Sequence, residues 1–128
     1  MEIKVYESVG NIKFGASRET VRKNNGPYKE FKKSRFSKNT TDDFSGFHVF
    51  YNEDNTVCAV EIFRETELLF RGISLFSKTY PELKALLKDS NAAEDSSGIT
   101  YKTLGFSVYA PEQKEIESIL VFCKGYFD

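Results

Sequence analysis

The chain has 128 residues, 40% hydrophobic and 29% charged, the proportions of one globular domain with a self-supporting core. Its net charge of −1 argues against bulk attraction to nucleic acid or an anionic membrane, and two cysteines make neither a secreted disulfide framework nor a zinc knuckle. Twelve Phe and seven Tyr, with no Trp, are more rings than a small core needs, so some are available for a contact surface.

The first residues, Met1 to Tyr6, lack the basic-then-apolar run of a signal peptide, and no cysteine near them can accept a lipid. The longest apolar runs are a few residues, too short to span a bilayer, and together these features predict a cytoplasmic protein. Ile12-Lys13-Phe14 leads into a helix predicted over Ala16 to Asn25, with Ser17 as its cap. Gly26 stops this helix by taking a left-handed conformation, and Pro27 prevents its resumption. Lys29 to Phe36 is a strand candidate. A hairpin then pairs Gly46–Tyr51 with Val57–Phe63 around the polar turn Asn52 to Asn55. Alternation puts Phe47, Val49 and Tyr51 on one face of its first strand, with His48 and Phe50 on the other. In the return strand Cys58, Val60 and Ile62 alternate with Val57, Ala59 and Phe63.

Glu67 to Phe70 is a further strand candidate, and Ile73-Ser74-Leu75 introduces a second helix predicted over Thr79 to Asp89. Thr79 and Glu82 form a capping box, and Leu83, Leu86 and Leu87 form the expected buried stripe. Ser90 to Gly98 reads as a loop by composition. A second hairpin follows, Gly105–Tyr109 with Ile116–Phe122, around Pro111 to Lys114.

The two hairpins correspond. Gly46-Phe47-His48-Val49-Phe50 recurs as Gly105-Phe106-Ser107-Val108-Tyr109, an offset of 59, and Val57–Phe63 recurs as Ile116–Phe122 at the same offset. Each is preceded by a short helix introduced by an apolar pair. The reading is therefore one domain over 1–128, built from two repeats at about 10–63 and about 71–122. The expected fold is α+β: two tandem units of helix plus antiparallel hairpin forming one sheet, with the helices packed on one side.

No catalytic constellation stands out. His48 is the only histidine and has no evident acid or nucleophile beside it. Cys58 and Cys123 read as packed thiols, and the pairs Asp42-Asp43 and Glu53-Asp54 as solvated carboxylates. Glu61 lies between Val60 and Ile62, so it either faces water or pairs with a Lys or Arg. Tyr28 to Lys38 interleaves lysines with aromatics, a mixture suited to single-stranded nucleic acid, though Glu30 interrupts it. Gly10, Gly15 and Gly26 form no phosphate loop. No cofactor, no metal and no catalytic residue is expected.

The phrase Ile12-Lys13-Phe14-Gly15-Ala16-Ser17-Arg18-Glu19-Thr20-Val21-Arg22, closed by Asn25-Gly26-Pro27, resembles the repeat unit of the β-lactamase-inhibitor-protein-like architecture. It is also similar to small bacterial toxin-immunity proteins. The second half lacks the Gly-Ser and Gly-Pro signposts. The resemblance implies a non-catalytic protein-binding module, an inhibitor or immunity protein that occludes a partner enzyme or toxin through a sheet face and loops. On that reading the candidate contacts are Phe47, Phe50, Tyr51 and Tyr109, with Glu112, Glu115 and Glu117. A homodimer would use the same aromatic surface. Two alternatives stand beside it: a small-molecule-binding protein or small enzyme with a pocket between sheet and helices, marked by Glu61, His48 or Tyr51, and a weak single-stranded nucleic-acid binder through 28–38.

Overall fold

The computed structural model describes residues 1–128 and is α+β, with two short helices among antiparallel strands. Strands β1 (Ile3–Lys4), β2 (Ser8–Val9) and β3 (Ile12–Lys13) form a small sheet of their own. Helix α1 (Arg18–Asn25) follows, starting two residues later than expected because Ser17 is the cap, accepting a bond from the Thr20 N–H. Gly26 leaves the helix at φ 78°, a conformation that disfavours any side chain.

After α1 the chain runs as a meander through β4 (Lys29–Phe31), β5 (Thr41–Asp43), β6 (Phe47–Tyr51) and β7 (Val57–Phe63). Strands β8 (Leu69–Phe70) and β9 (Ile73–Ser74) form a separate two-stranded sheet. Helix α2 (Tyr80–Leu86) carries the expected capping box of Thr79 and Glu82. A second meander follows: β10 (Ala92–Asp95), β11 (Gly98–Tyr101), β12 (Phe106–Tyr109) and β13 (Ser118–Phe122). Strands β4–β7 and β10–β13 belong to one eight-stranded sheet, ordered β10-β11-β12-β13-β7-β6-β5-β4.

Several expectations are corrected. The strands make three separate sheets and not one, because β1–β3 and β8–β9 pair only among themselves apart from an isolated bridge between Glu2 and Leu69. The segment read as a loop, 90–98, contains β10, which pairs along its whole length with β11. Helix α2 stops before Asp89 because Leu87 adopts an extended conformation, and Leu86 is left exposed while Leu83 and Leu87 are buried. The strand expected over 29–36 ends at Phe31, and β5 was not anticipated. The alternation in β7 also breaks. A register shift opposite Phe50 and Tyr51 turns Val57 to the same side as Val60 and Ile62, while Cys58 joins Ala59 on the other.

One cluster of 26 residues forms the main core. Val21 of α1 and Tyr80 and Leu83 of α2 meet Val49, Val60, Ile62, Ile119 and Val121 of the large sheet there, which puts both helices on one face. The opposite face has only a four-residue cluster, Phe50, Cys58, Ala59 and Phe122, roofed by Tyr6, Tyr126 and Cys123. No helix packs on the rest of that face. No helix is long and apolar enough to cross a membrane.

Candidate functional site

Charge is most concentrated beneath α1. Arg18 and Arg22 lie one turn apart and so share a helix face. Both reach Asp42 of β5, whose side chain is completely buried. Arg22 donates from Nε to Oδ2 and from Nη2 to Oδ1, each at 2.8 Å, and Tyr51 Oη donates to Oδ2 at 2.9 Å. Arg18 adds longer bonds to Asp42 of 3.3 and 3.4 Å, and also ties down Thr40, Asn39 and Asn55. Burial pushes the Asp42 carboxyl up, but the hydrogen bonds from Arg22, Arg18 and Tyr51 outweigh it, and the group is held below its ordinary range. Burial and then the bond to Asp42 push the Tyr51 phenol up. Every strong group in this network has a partner, so it fastens α1 to β5 and β6 and offers no free nucleophile or base.

A simpler version sits under α2. Lys84 pairs with Glu94 of β10 at 2.9 Å, and Tyr80 Oη donates to the same carboxylate at 2.6 Å. Nearby, Tyr101 Oη is buried without a hydrogen-bond partner.

The uncovered face of the large sheet is ordered in rows by the strand register. One row runs Glu61, Leu120, Ser107, Thr100, Ala93, and the next runs Phe63, Ser118, Tyr109, Gly98, Asp95. Together with Phe127 these rows line a shallow groove of about 310 Å³, only Phe63 lying outside it. Its floor is closed by small side chains joined in pairs: Thr100 and Ser107 at 2.6 Å, and Ser118 donating to Glu61 Oε2 at 2.8 Å. Gly98, at φ 142°, lets β11 approach β12 closely, since a Cβ there would run into the Val108 carbonyl. Glu61 makes no ion pair with any Lys or Arg of the chain, contrary to one of the two expectations for it. Opposite it on β6, His48 makes T-shaped contacts with both Phe31 and Phe63, with Nε2 3.4 Å from Asp43.

The seven residues named from sequence do not converge. Phe47 and Tyr51 lie on the helix side, Phe47 stacked on Phe44 and Tyr51 bound to Asp42. Phe50 is on the open side but buried, with Lys33 Nζ 4.4 Å above its ring. Tyr109 is 46% exposed and borders the groove. Glu112, Glu115 and Glu117 are exposed along the β12–β13 connection, Glu112 beside Lys114 and Glu115 beside Arg64. Of the markers for a pocket between sheet and helices, Glu61 and His48 are neighbours on the open face, and Tyr51 is on the other side of the sheet.

Sequence reasoning missed Asp42 and Phe127. Asp42, expected to be solvated with Asp43, is instead buried beneath Arg18 and Arg22; the only signal for Phe127 is the aromatic pair Tyr126-Phe127. Within 28–38 only Lys29–Phe31 is strand, and Phe36 is the most exposed large apolar side chain, covered on one side by Arg35. The cysteines are free thiols, Cys58 on β7 and Cys123 one residue past the end of β13, the Cys123 N–H donating to the Cys58 carbonyl at 2.9 Å. Burial pushes the Cys58 thiol up to about 11, the opposite of activation.

Compared with protein-family models, curated proteins and solved structures, the chain matches none.

Proposed function

We propose that this protein is a non-catalytic protein-binding module that engages its partner through the uncovered face of the eight-stranded sheet, as an inhibitor or immunity protein occluding an enzyme or toxin. The observation that carries this reading is a sheet with both helices on one face and, on the other, an open groove bordered by Tyr109 (46% exposed) and Phe127 (58% exposed). Exposed aromatic rings over a floor of small side chains are the composition of an interface centre.

The scaffold on this reading is a duplicated unit of helix plus four-stranded meander. Three relationships support it. Glu61 pairs across β7 and β13 with Leu120, its own counterpart at the offset of 59, and the flanking pairs Phe63–Ser118 and Ala59–Phe122 exchange under the same offset. Ser17 and Thr79 cap the two helices in the same way. Arg22–Glu30 and Lys84–Glu94 each tie a helix to the outermost strand of its half.

The test is capture of the tagged full chain with its partner from native host lysate, followed by hydroxyl-radical footprinting of the complex. Loss of labelling at Tyr109 and Phe127, with Leu86 on α2 still labelled, is expected, and the captured enzyme should regain activity when released. Protection at Leu86 with Tyr109 and Phe127 unchanged would overturn the assignment of this face.

A further inference from the structure

The groove has an electrostatic character that narrows what can fill it. Glu61 stands at one end, on β7, and Asp95 at the other, on β10. Neither carboxylate is in an ion pair within the chain: Glu61 accepts from the Ser118 hydroxyl, and Asp95 accepts from Ser97. Lys102, just past the Ala92 end of β10, makes no ion pair either. Between the two ends the floor is neutral, and Tyr109 and Phe127 present ring surface to anything lying over it. Exposed aromatic rings flanked by unpaired carboxylates attract cations, and above all the guanidinium group, which stacks on rings and bonds a carboxylate through two N–H groups.

Resting on the proposed binding role of this face, we infer that the groove receives an extended segment of the partner protein carrying an arginine at each end. The spacing follows from the sheet. Glu61 and Asp95 are four strands and one row apart: roughly 19 Å across at about 4.8 Å per strand and roughly 7 Å along, a diagonal of about 20 Å. An extended chain covers this distance in about six residues at roughly 3.3 Å each. A partner segment crossing the strands with arginines six positions apart therefore reaches both carboxylates, with small or aliphatic residues over Gly98 and Ser107. A second copy of this chain is disfavoured on charge. Its corresponding groove carries the same two carboxylates, so groove-to-groove contact brings like charges together.

The probe is a capped seven-residue peptide with arginine at positions one and seven and serine, alanine and valine between. It is titrated into the isotope-labelled full chain and followed by amide chemical shifts. Saturable shifts are expected at Thr100, Ser107 and Ser118, weakening with added salt and absent for the same peptide with glutamate at both ends. Glu61→Gln keeps an oxygen for the Ser118 hydroxyl, and Asp95→Asn keeps one for Ser97, so each removes charge and spares the fold. Each should weaken the peptide by about tenfold or more, the range of a lost charge-assisted bond. Shifts that do not saturate, that fall elsewhere, or that persist with the glutamate peptide would overturn the inference. So would a concentration-dependent dimer in sedimentation that perturbs the same amides. A captured partner that protects Tyr109 while the peptide fails to bind leaves the binding role standing and removes only the arginine.

Discussion

Arg22 meets Asp42 through two hydrogen bonds of equal length, Nε to Oδ2 and Nη2 to Oδ1, both 2.8 Å, and Asp42 has no exposed surface. This two-point geometry is the strongest that an arginine and a carboxylate form, and it fixes the helix at a set height above the sheet. Removing the carboxylate leaves the Tyr51 hydroxyl and the inner N–H groups of two guanidiniums without their shared acceptor. Asp42→Ala is expected to cost about 3 kcal/mol, the lower end for a broken buried pair, because the arginines are partly open to water. Urea unfolding should show a lower midpoint with an unchanged slope. A loss below about 0.5 kcal/mol would mean that α1 is held by Val21 and not by the ion pair.

The same carboxylate makes stability depend on acidity, and the direction follows from its lowered pKa. A carboxyl held below its unfolded value of about 4 contributes stability that is present above that pH and lost as pH falls through the folded value. Melting temperature should therefore drop below about pH 4. In Asp42→Asn this part of the slope disappears, so the gap between the two proteins closes as the solution is acidified. Glu30 and Glu94, lowered chiefly by hydrogen bonds from Thr40 and Tyr80, leave the variant a residual slope of the same sign. A gap that stays constant from pH 3 to pH 7, about the range in which aspartates titrate, would rule out the linkage.

Tyr101 gives a prediction of opposite sign. Its hydroxyl is buried with no partner, and burial, reinforced by Glu94 and Asp89, pushes it up to about 12. The ring belongs to the core beside Phe106, with centroids 5.6 Å apart, so only the oxygen is out of place. Tyr101→Phe should raise stability by about 1 kcal/mol, or a few degrees in melting temperature for a domain of this size. A comparable fall would show that a buried water satisfies the hydroxyl.

Much of the architecture was legible because local chemistry and burial agree. Ser17, Gly26 and the Thr79–Glu82 box set helix ends through bonds to their own neighbours, so no tertiary information was needed to find them. The hairpins were legible through alternation, up to the bulge where Cys58 and Val57 exchange faces, since alternation cannot register an inserted residue. Edge strand β10 was hidden for a related reason. All four of its residues are exposed, and Ala92-Ala93-Glu94-Asp95 has the composition of a loop because an outermost strand has little to bury. Asp42-Asp43 reads as a solvated pair because adjacent acids are usual in turns; the pair lies instead on a strand, where the two face opposite ways, and only the pairing of β5 with β6 shows which one lies under α1. The groove depends on five strands in register and on a C-terminal ring, relationships between distant residues that no single stretch of sequence carries.

Tyr109 and Phe50 separate contact from support. Both are aromatic, both lie on the open face, and both were candidates from strand position, but Phe50 is 8% exposed and Tyr109 is 46% exposed. Phe50 packs with Cys58, Ala59 and Phe122, so Phe50→Ala should cost about 3 kcal/mol of stability through the cavity it leaves. Tyr109→Ala removes an exposed ring and should change stability by less than about 0.5 kcal/mol. If the groove is the interface centre, the same change should weaken the captured partner by about 2 kcal/mol, roughly thirtyfold in Kd. Thermal unfolding and titration calorimetry on the two variants measure both quantities. Tyr109→Ala binding as tightly as the parent would take the interface away from this groove, whereas Phe50→Ala losing stability and affinity together would show only that the sheet must be intact to bind.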